Sequence, residues 1–266
     1  KKFTKKLLPP QLLSIYRGLR RKLNRTKKYP YCVRLTQFTS RGCQFEITGP
    51  IESVRVERLG EEEDFVRLFL AEVRPGDIVF DIGSCVGLYT LHTVLLGAKE
   101  VVAFEPDPAY RKRLIKNIAL NRLETHIQVV SWAVSDRRGT EILYTDGVQG
   151  LSPSLRLVGK RGSVVVETDC IDNAIADNRI PKPALVKLDI EGAEILALRG
   201  MQQLLNSSYS PRCIFIELHP SFLSGFGSSS NDCIQILENA GYEQQYYALR
   251  DGQEHVIFRR KTSKCN

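Results

Sequence analysis

Three absences narrow the reading of this 266-residue sequence. No apolar run approaches the roughly 18 residues that a membrane span requires. The opening KKFTKKLLPP has too short an apolar core for a secretory signal. The expectation is therefore a cytoplasmic chain. None of the cysteines, Cys32, Cys43, Cys85, Cys170, Cys213, Cys233 and Cys265, is spaced CxxC with another, and their number is odd. A zinc site wants clustered ligands, so these read as reduced, buried thiols. The third absence is of acid. Residues 1–34 carry 12 of the 38 basic side chains and no Asp or Glu; the rest of the chain holds 26 basic against 30 acidic, net −4. The basic charge belongs to a tail, which argues against a stable nucleic-acid partner for the body.

What is present has a clear order. After Pro9-Pro10, Leu12, Tyr16, Leu19 and Leu23 form one helical stripe with basic residues around it. Such a helix packs on its own domain or, in the sharper reading, lets residues 1–34 touch an anionic membrane surface peripherally. CVRL, CQFEIT and SVRVERL then read as short strands, giving a small β-rich preface up to residue 60. From residue 61 to 266 strands and helices alternate. Strands are predicted at Ile78–Ile82, Val101–Phe104, Ile127–Val130, Leu185–Leu188 and Cys213–Leu218, with helices at Glu61–Val73, Val86–Leu96, Pro108–Asn121, Ala193–Leu205 and Asn231–Ala240. Ile142–Tyr144 and Ser163–Glu167 look like extra strands. Tyr242–Leu249 and His255–Arg259 look like a terminal hairpin. Near-continuous apolar strands separated by helices indicate an α/β fold with a mostly parallel, covered sheet.

The segment DIVFDIGSCVGLYT, from Asp77 to Thr90, opens this domain like a nucleotide-binding unit, but the GxGxxG spacing is missing. Asp81 ends the strand where a pyrophosphate would sit, a repulsion on the order of 4 kcal/mol at 4 Å. A cationic ligand turns that cost into a gain. S-adenosylmethionine has an ammonium, a sulfonium and no phosphate. Glu105 closes the second strand, 24 residues after Asp81, and can accept from both ribose hydroxyls. Ser131-Trp132-Ala133 would border the adenine.

DIGSCVGLYT, VVAFEPDPAYRKRLIKNIALN, WAVSDRRG, VETDCIDNAI, LVKLDIEGAEILALRGMQQLL and IFIELHP together resemble the FkbM-type methyltransferases, over about Glu61 to Pro220. The resemblance implies O-methylation of a sugar, glycan or small natural product with S-adenosyl-L-methionine. It also implies a Rossmann-like class I methyltransferase sheet of seven strands, the last antiparallel, here behind a helical and β-rich N-terminal extension. Carried over by position, Asp81, Gly83, Ser84, Cys85, Gly87, Glu105, Asp107, Trp132, Ala133 and Asp189 would bind the cofactor. The family usually has a small polar residue such as Asn at Cys85. His219, Asp189 and Glu191 would stand on the acceptor side.

Methyl transfer to an alcohol needs an oxygen held in line with the methyl and a group to take its proton. His219 is the first candidate base, because a free imidazole titrates near neutrality; Asp189 is the second. No metal is expected, since the same carboxylates can accept from sugar hydroxyls. The Asp146–Gly162 and Ser221–Ser230 segments are expected to form an acceptor lid. Two alternatives remain: an RNA base methyltransferase that binds through the basic tail, although LDIEGAE stands where a [DNS]PP[YFW] element would, and an inactive cofactor-binding scaffold.

Overall fold

Strands such as IVFDI, VVAF and LVKL pair into one sheet because their residues are apolar on both faces and must be covered from both sides. The structure, a computed structural model, describes residues 28–59, 62–148, 152–156 and 162–261. The predicted helix at 11–23 and the tail residues 1–27 lie outside them, as does Cys265; the other six cysteines are free thiols.

The chain begins with an antiparallel pair, β1 (Tyr31–Leu35) and β2 (Cys43–Ile47), followed by helices α1 (Pro50–Glu57) and α2 (Glu62–Glu72). Then come β3 (Ile78–Ile82), α3 (Leu88–Leu95), β4 (Glu100–Phe104), α4 (Pro108–Asn121) and β5 (Ile127–Val130). A smaller sheet follows from β6 (Ala133–Val134), β7 (Gly139–Thr145) and β8 (Gly162–Asp169). Helix α5 (Ile171–Ala176) leads to β9 (Leu185–Leu188), α6 (Glu194–Arg199), α7 (Gln202–Asn206), β10 (Cys213–Leu218), α8 (Pro220–Leu223) and α9 (Ser230–Asn239). The chain closes with β11 (Tyr242–Arg250) and β12 (Gln253–Arg260).

The main sheet has seven strands in the order β11-β12-β10-β9-β3-β4-β5. All neighbours are parallel except at β12, which runs antiparallel to both β10 and β11. The last strand is antiparallel, as the family resemblance implied. It inserts between β10 and β11 instead of lying at the edge. One face of the sheet packs on Phe65 and Phe69 of α2, Leu91 of α3, Leu114 of α4 and Phe45 of β2 in a shared core. The other packs on Ile171 of α5, Ile195 and Leu198 of α6, Leu205 of α7 and Leu237 of α9. The β1–β2 pair thus shares a core with the helices that follow it, and the expected boundary at residue 60 falls outside the described residues.

SVRVERL is a correction: it is the body of α1, not a strand. Alternating Val54 and Val56 mimic a half-buried strand, but Pro50 occupies the first helical turn, and Glu52, Ser53 and Val56 are buried at helical spacing. Arg113 of α4 anchors this segment, donating to Glu52 Oε1 at 2.8 Å and pairing with Glu46. The predicted helix at 193–205 is broken into α6 and α7 at Gly200. A Cβ there would lie 2.0 Å from the carbonyl oxygen of Ser135, just past β6, so only glycine fits at the break.

Candidate active site

At the carboxyl ends of β3, β4, β9 and β10 lies a cavity of about 1260 Å³ including its open mouth, where open α/β sheets bind ligands. Of the residues proposed from sequence, Gly83, Ser84, Cys85, Glu105, Ala133, Asp189 and Glu191 line it. Asp81, Gly87, Asp107, Trp132 and His219 do not, and each has another setting in the fold.

Asp81 is 1% exposed. Its carboxylate accepts from the Thr90 hydroxyl and faces Lys187 Nζ at 3.5 Å. Lys187 is buried, donates to the Gly83 carbonyl at 2.8 Å, and also pairs with Asp189 at 3.3 Å. Burial alone would lower its pKa, but Asp189, Asp81 and Glu217 hold it above the ordinary lysine value. The Asp81 charge is therefore compensated beneath the cavity floor. The sequence argument, that this carboxylate would repel a diphosphate, does not describe the site.

The hydrogen bonds of the turn supply a different exclusion. The amides of Gly83 and Ser84 both donate to the Phe104 carbonyl at 3.1 Å. Cys85 N–H donates to Glu105 Oε2 at 2.8 Å, and Gly87 N–H to Ser84 O at 2.8 Å. A pyrophosphate cradle needs free turn amides, and these four are already engaged. Gly83, at φ +84°, is required by packing: a Cβ there would lie 1.9 Å from the Asp189 carbonyl oxygen. Gly87, at φ +94°, starts α3, and a Cβ would meet Leu114 at 2.7 Å. Cys85 itself holds φ +52°, and burial pushes its thiol up to about 12, so it is not a nucleophile.

Glu105 reaches the cavity from the end of β4. Its Oε1 accepts from Asp107 N–H at 2.9 Å, and its pKa is raised to about 8 because burial outweighs the two backbone hydrogen bonds. Beside it, Phe104, Pro106, Ala133, Val134 and Leu143 make an apolar slot. Asp107 caps α4, accepting from Ala109 and Tyr110 amides at 2.7 and 3.1 Å. Trp132 packs edge-on against Phe104, with ring centroids 5.1 Å apart, behind that slot.

The other end of the cavity is acidic. Asp189 and Glu191 follow β9, Glu217 is on β10, and Glu62 opens onto the cavity from the first turn of α2. Glu62 was not singled out in the sequence; it looked like an ordinary helix-start acid. The residue is exposed at the start of its helix, and Glu217 and Asp189 across the cavity raise its carboxyl pKa. Arg55 of α1 also lines the cavity and donates to Ser152 Oγ at 3.1 Å. The segment misread as a strand thus delivers a cation to the site.

His219 is 1% exposed, behind Asp189 and Glu191. Its Nδ1 lies 2.8 Å from Glu194 Oε1. Burial would lower its pKa, but Glu191, Glu194 and Glu217 raise it well above the usual imidazole value. An imidazole held among carboxylates in this way is not the free base inferred from sequence. Asp189, the second candidate, lines the cavity; burial works against its ionisation, yet Lys187 and His219 hold its pKa below the ordinary value, which makes it a weak base. Of the expected lid, Ser152, Pro153, Ser154 and Leu155 line the cavity, and the Ser154 hydroxyl donates to Glu191 O at 3.0 Å. Residues 149–151 and 157–161 lie outside the described residues. The 221–230 segment does not reach the cavity wall.

The family model described as the methyltransferase FkbM domain matches residues 81–243. The hexuronic acid methyltransferase AglP of Haloferax volcanii is 26% identical over 228 residues, 85% of this chain and 89% of that protein. The 31-O-demethyl-FK506 methyltransferase FkbM of Streptomyces tacrolimicus is 28% identical over 162 residues, 49% of this chain and 62% of that one. Among solved structures, the Escherichia coli protein yhhF gives a TM-score of 0.50 at 12% identity, covering 88% of this chain and all of that one, a likeness of fold alone.

Proposed function

The chain belongs to the methyltransferase FkbM family and is an S-adenosylmethionine-dependent methyltransferase, and from that premise we propose that it methylates a hydroxyl of a sugar, glycan or small natural product. The observation that carries the reading is the polarity of one cavity. It runs from the Glu105 carboxylate and its apolar slot to the acidic wall of Asp189, Glu191, Glu217 and Glu62.

The donor set fits the cofactor. Glu105 offers both oxygens to vicinal hydroxyls, and the apolar slot suits an adenine. The engaged turn amides leave nothing for a diphosphate. When bound, S-adenosylmethionine supplies a methyl group on a sulfonium leaving group. The acidic wall suits hydroxyl donors of an acceptor and a nearby positive charge. Glu62, whose pKa Glu217 and Asp189 raise, is the candidate to take a hydroxyl proton once it is ionised at mildly alkaline pH. Lys187 holds the Asp189 pKa below the ordinary carboxylate value, pairs with Asp81 and ties down the glycine turn. The name of the H. volcanii relative puts an acidic sugar among the acceptors to try, its carboxylate needing the Arg55 end of the cavity and not the acidic wall. For the N-terminal tail we retain peripheral membrane contact as a proposal; no helix among the described residues is long and apolar enough to cross a membrane.

Thermal shift with S-adenosylhomocysteine, NADH and FAD tests the cofactor. Stabilisation by the first alone is expected, and stabilisation by either dinucleotide in its place refutes the reading. Transfer of labelled methyl to a panel of uronic acids, neutral sugars and glycans then tests the acceptor. Transfer only to an RNA base would overturn it. Glu62→Gln should lower kcat roughly 100- to 10,000-fold at unchanged S-adenosylhomocysteine affinity; an unchanged kcat removes Glu62 as base.

A further inference from the structure

We propose that Asp189, Glu191 and His219 form a site for one divalent transition-metal ion, oriented by Glu194 and opening onto the acceptor end of the cavity. The site rests on the methyltransferase reading only for its use; the ligand geometry stands by itself. One oxygen from each carboxylate and one ring nitrogen lie within 4.8 Å of one another.

The second observation is the imidazole. His219 Nε2 is buried and has no hydrogen-bond partner. It points at Asp189 Oδ1 and Glu191 Oε2, each 3.8 Å away, and at Glu217 Oε1, 3.6 Å away. These separations are too long for hydrogen bonds. They suit groups that share an ion: two ligands each about 2.1 Å from a metal lie about 3.4 Å apart at a tetrahedral angle and about 4.2 Å apart when opposite. The ring's other nitrogen is fixed by Glu194, a fully buried carboxylate whose same oxygen lies 3.0 Å from Gly192 N and 3.3 Å from Ile190 N. A carboxylate on the far nitrogen is the arrangement that orients metal-binding histidines and raises their basicity.

Asp189 adds an open side. Its Oδ2 pairs with Lys187 while Oδ1 faces His219, and the side chain is 30% exposed to the cavity. Glu191 is held at φ +53°, a conformation that costs energy for a residue with a side chain, and its Oε2 lies 3.8 Å from His219 Nε2. Two carboxylates and an imidazole suit Mn²⁺, Fe²⁺ or Zn²⁺ better than Mg²⁺ or Ca²⁺. An acceptor oxygen would complete the coordination from the cavity side.

The test uses the full chain stripped with chelator, titrated with Mn²⁺ and followed by loss of the free-ion EPR signal, with Zn²⁺ as competitor. One ion per chain is expected below about 1 mM. Asp189→Asn and Glu191→Gln should each weaken uptake at least 10-fold, and Glu194→Gln roughly 10- to 100-fold. Circular dichroism and melting of each variant confirm that it is folded; if His219→Ala is not, the two carboxylate variants decide the matter. S-adenosylhomocysteine binding is measured on the same samples. A chain that binds it but takes up neither ion refutes the metal site and leaves the methyltransferase reading intact. A chain that takes up the ion but not S-adenosylhomocysteine does the reverse. Uptake unchanged in the folded variants assigns the ion elsewhere and overturns the proposal.

Discussion

Replacing Lys187 by Met tests the claim that the Asp81 carboxylate is compensated from within the protein. The ammonium lies 3.5 Å from Asp81 and 3.3 Å from Asp189, and it donates to the Gly83 carbonyl at 2.8 Å. At an effective dielectric near 20, each ion pair is worth about 5 kcal/mol of Coulomb attraction. Desolvation of the three groups offsets much of that in the intact protein. Removing one partner keeps the penalty and loses the attraction, so Asp81, at 1% exposure, would be left with only the Thr90 hydroxyl. The expected loss is about 3–5 kcal/mol, read as a lowered midpoint in urea at constant m-value. Asp81→Asn in the Lys187→Met background removes the stranded charge and should recover more than half of that loss. Affinity for S-adenosylhomocysteine should fall with Lys187→Met as well, because the Gly83 carbonyl loses its tether. A loss under about 1 kcal/mol, or a double variant no more stable than the single one, refutes the reasoning.

Glu105→Gln should weaken S-adenosylhomocysteine binding by about 2–4 kcal/mol by calorimetry if both hydroxyl bonds form. With its pKa raised to about 8, Glu105 is protonated in the free protein below that pH. Ribose hydroxyls want the ionised form, so wild-type affinity should climb from pH 6 to pH 8.5 and then level, while the Gln variant stays flat; a flat wild-type profile rejects the assignment. Gly83→Ala, which combines a positive φ with a Cβ 1.9 Å from the Asp189 carbonyl, should cost about 3–5 kcal/mol and abolish cofactor binding; a well-folded, binding-competent variant contradicts the close approach. Arg113→Ala should cost about 3 kcal/mol by removing the cation from the Glu52 carboxylate, which is 1% exposed on its side chain and keeps only its Thr48 partners on the other oxygen. Asp169 should contribute to acid lability. Burial works against its charge, but the Cys170 amide, Arg179 and Arg138 win and depress its pKa, so its stabilisation is present above the unfolded carboxylate pKa and is lost as pH falls below it. Melting against pH, with Asp169→Asn flattening the acid limb, checks this.

Local sequence sufficed for the elements whose signals are local. Pro108–Asn121 and the strands Ile78–Ile82, Ile127–Val130, Leu185–Leu188 and Cys213–Leu218 match their expected limits, because an Asp-Pro start or an apolar run between breakers acts over a few residues. The same holds for Glu105, whose place after a strand in a βαβ unit put it on the cavity wall. Nothing local could place β12 between β10 and β11, split a helix at Gly200, or turn SVRVERL into a helix that brings Arg55 to the site.

Residue types and spacing by themselves determined an α/β fold and which strand ends would carry the polar groups, and the resemblance of the motifs pointed to the methyltransferase family. The tertiary structure decided what those groups do to one another. Lys187 stands 106 residues from Asp81 in sequence, yet the two form one ion pair. Glu191, Glu194 and Glu217 around His219 raise its pKa above the usual imidazole value. Charge, burial and pKa depend on distances through space, which a linear sequence does not contain; they exist only once the sheet has brought its strand ends together.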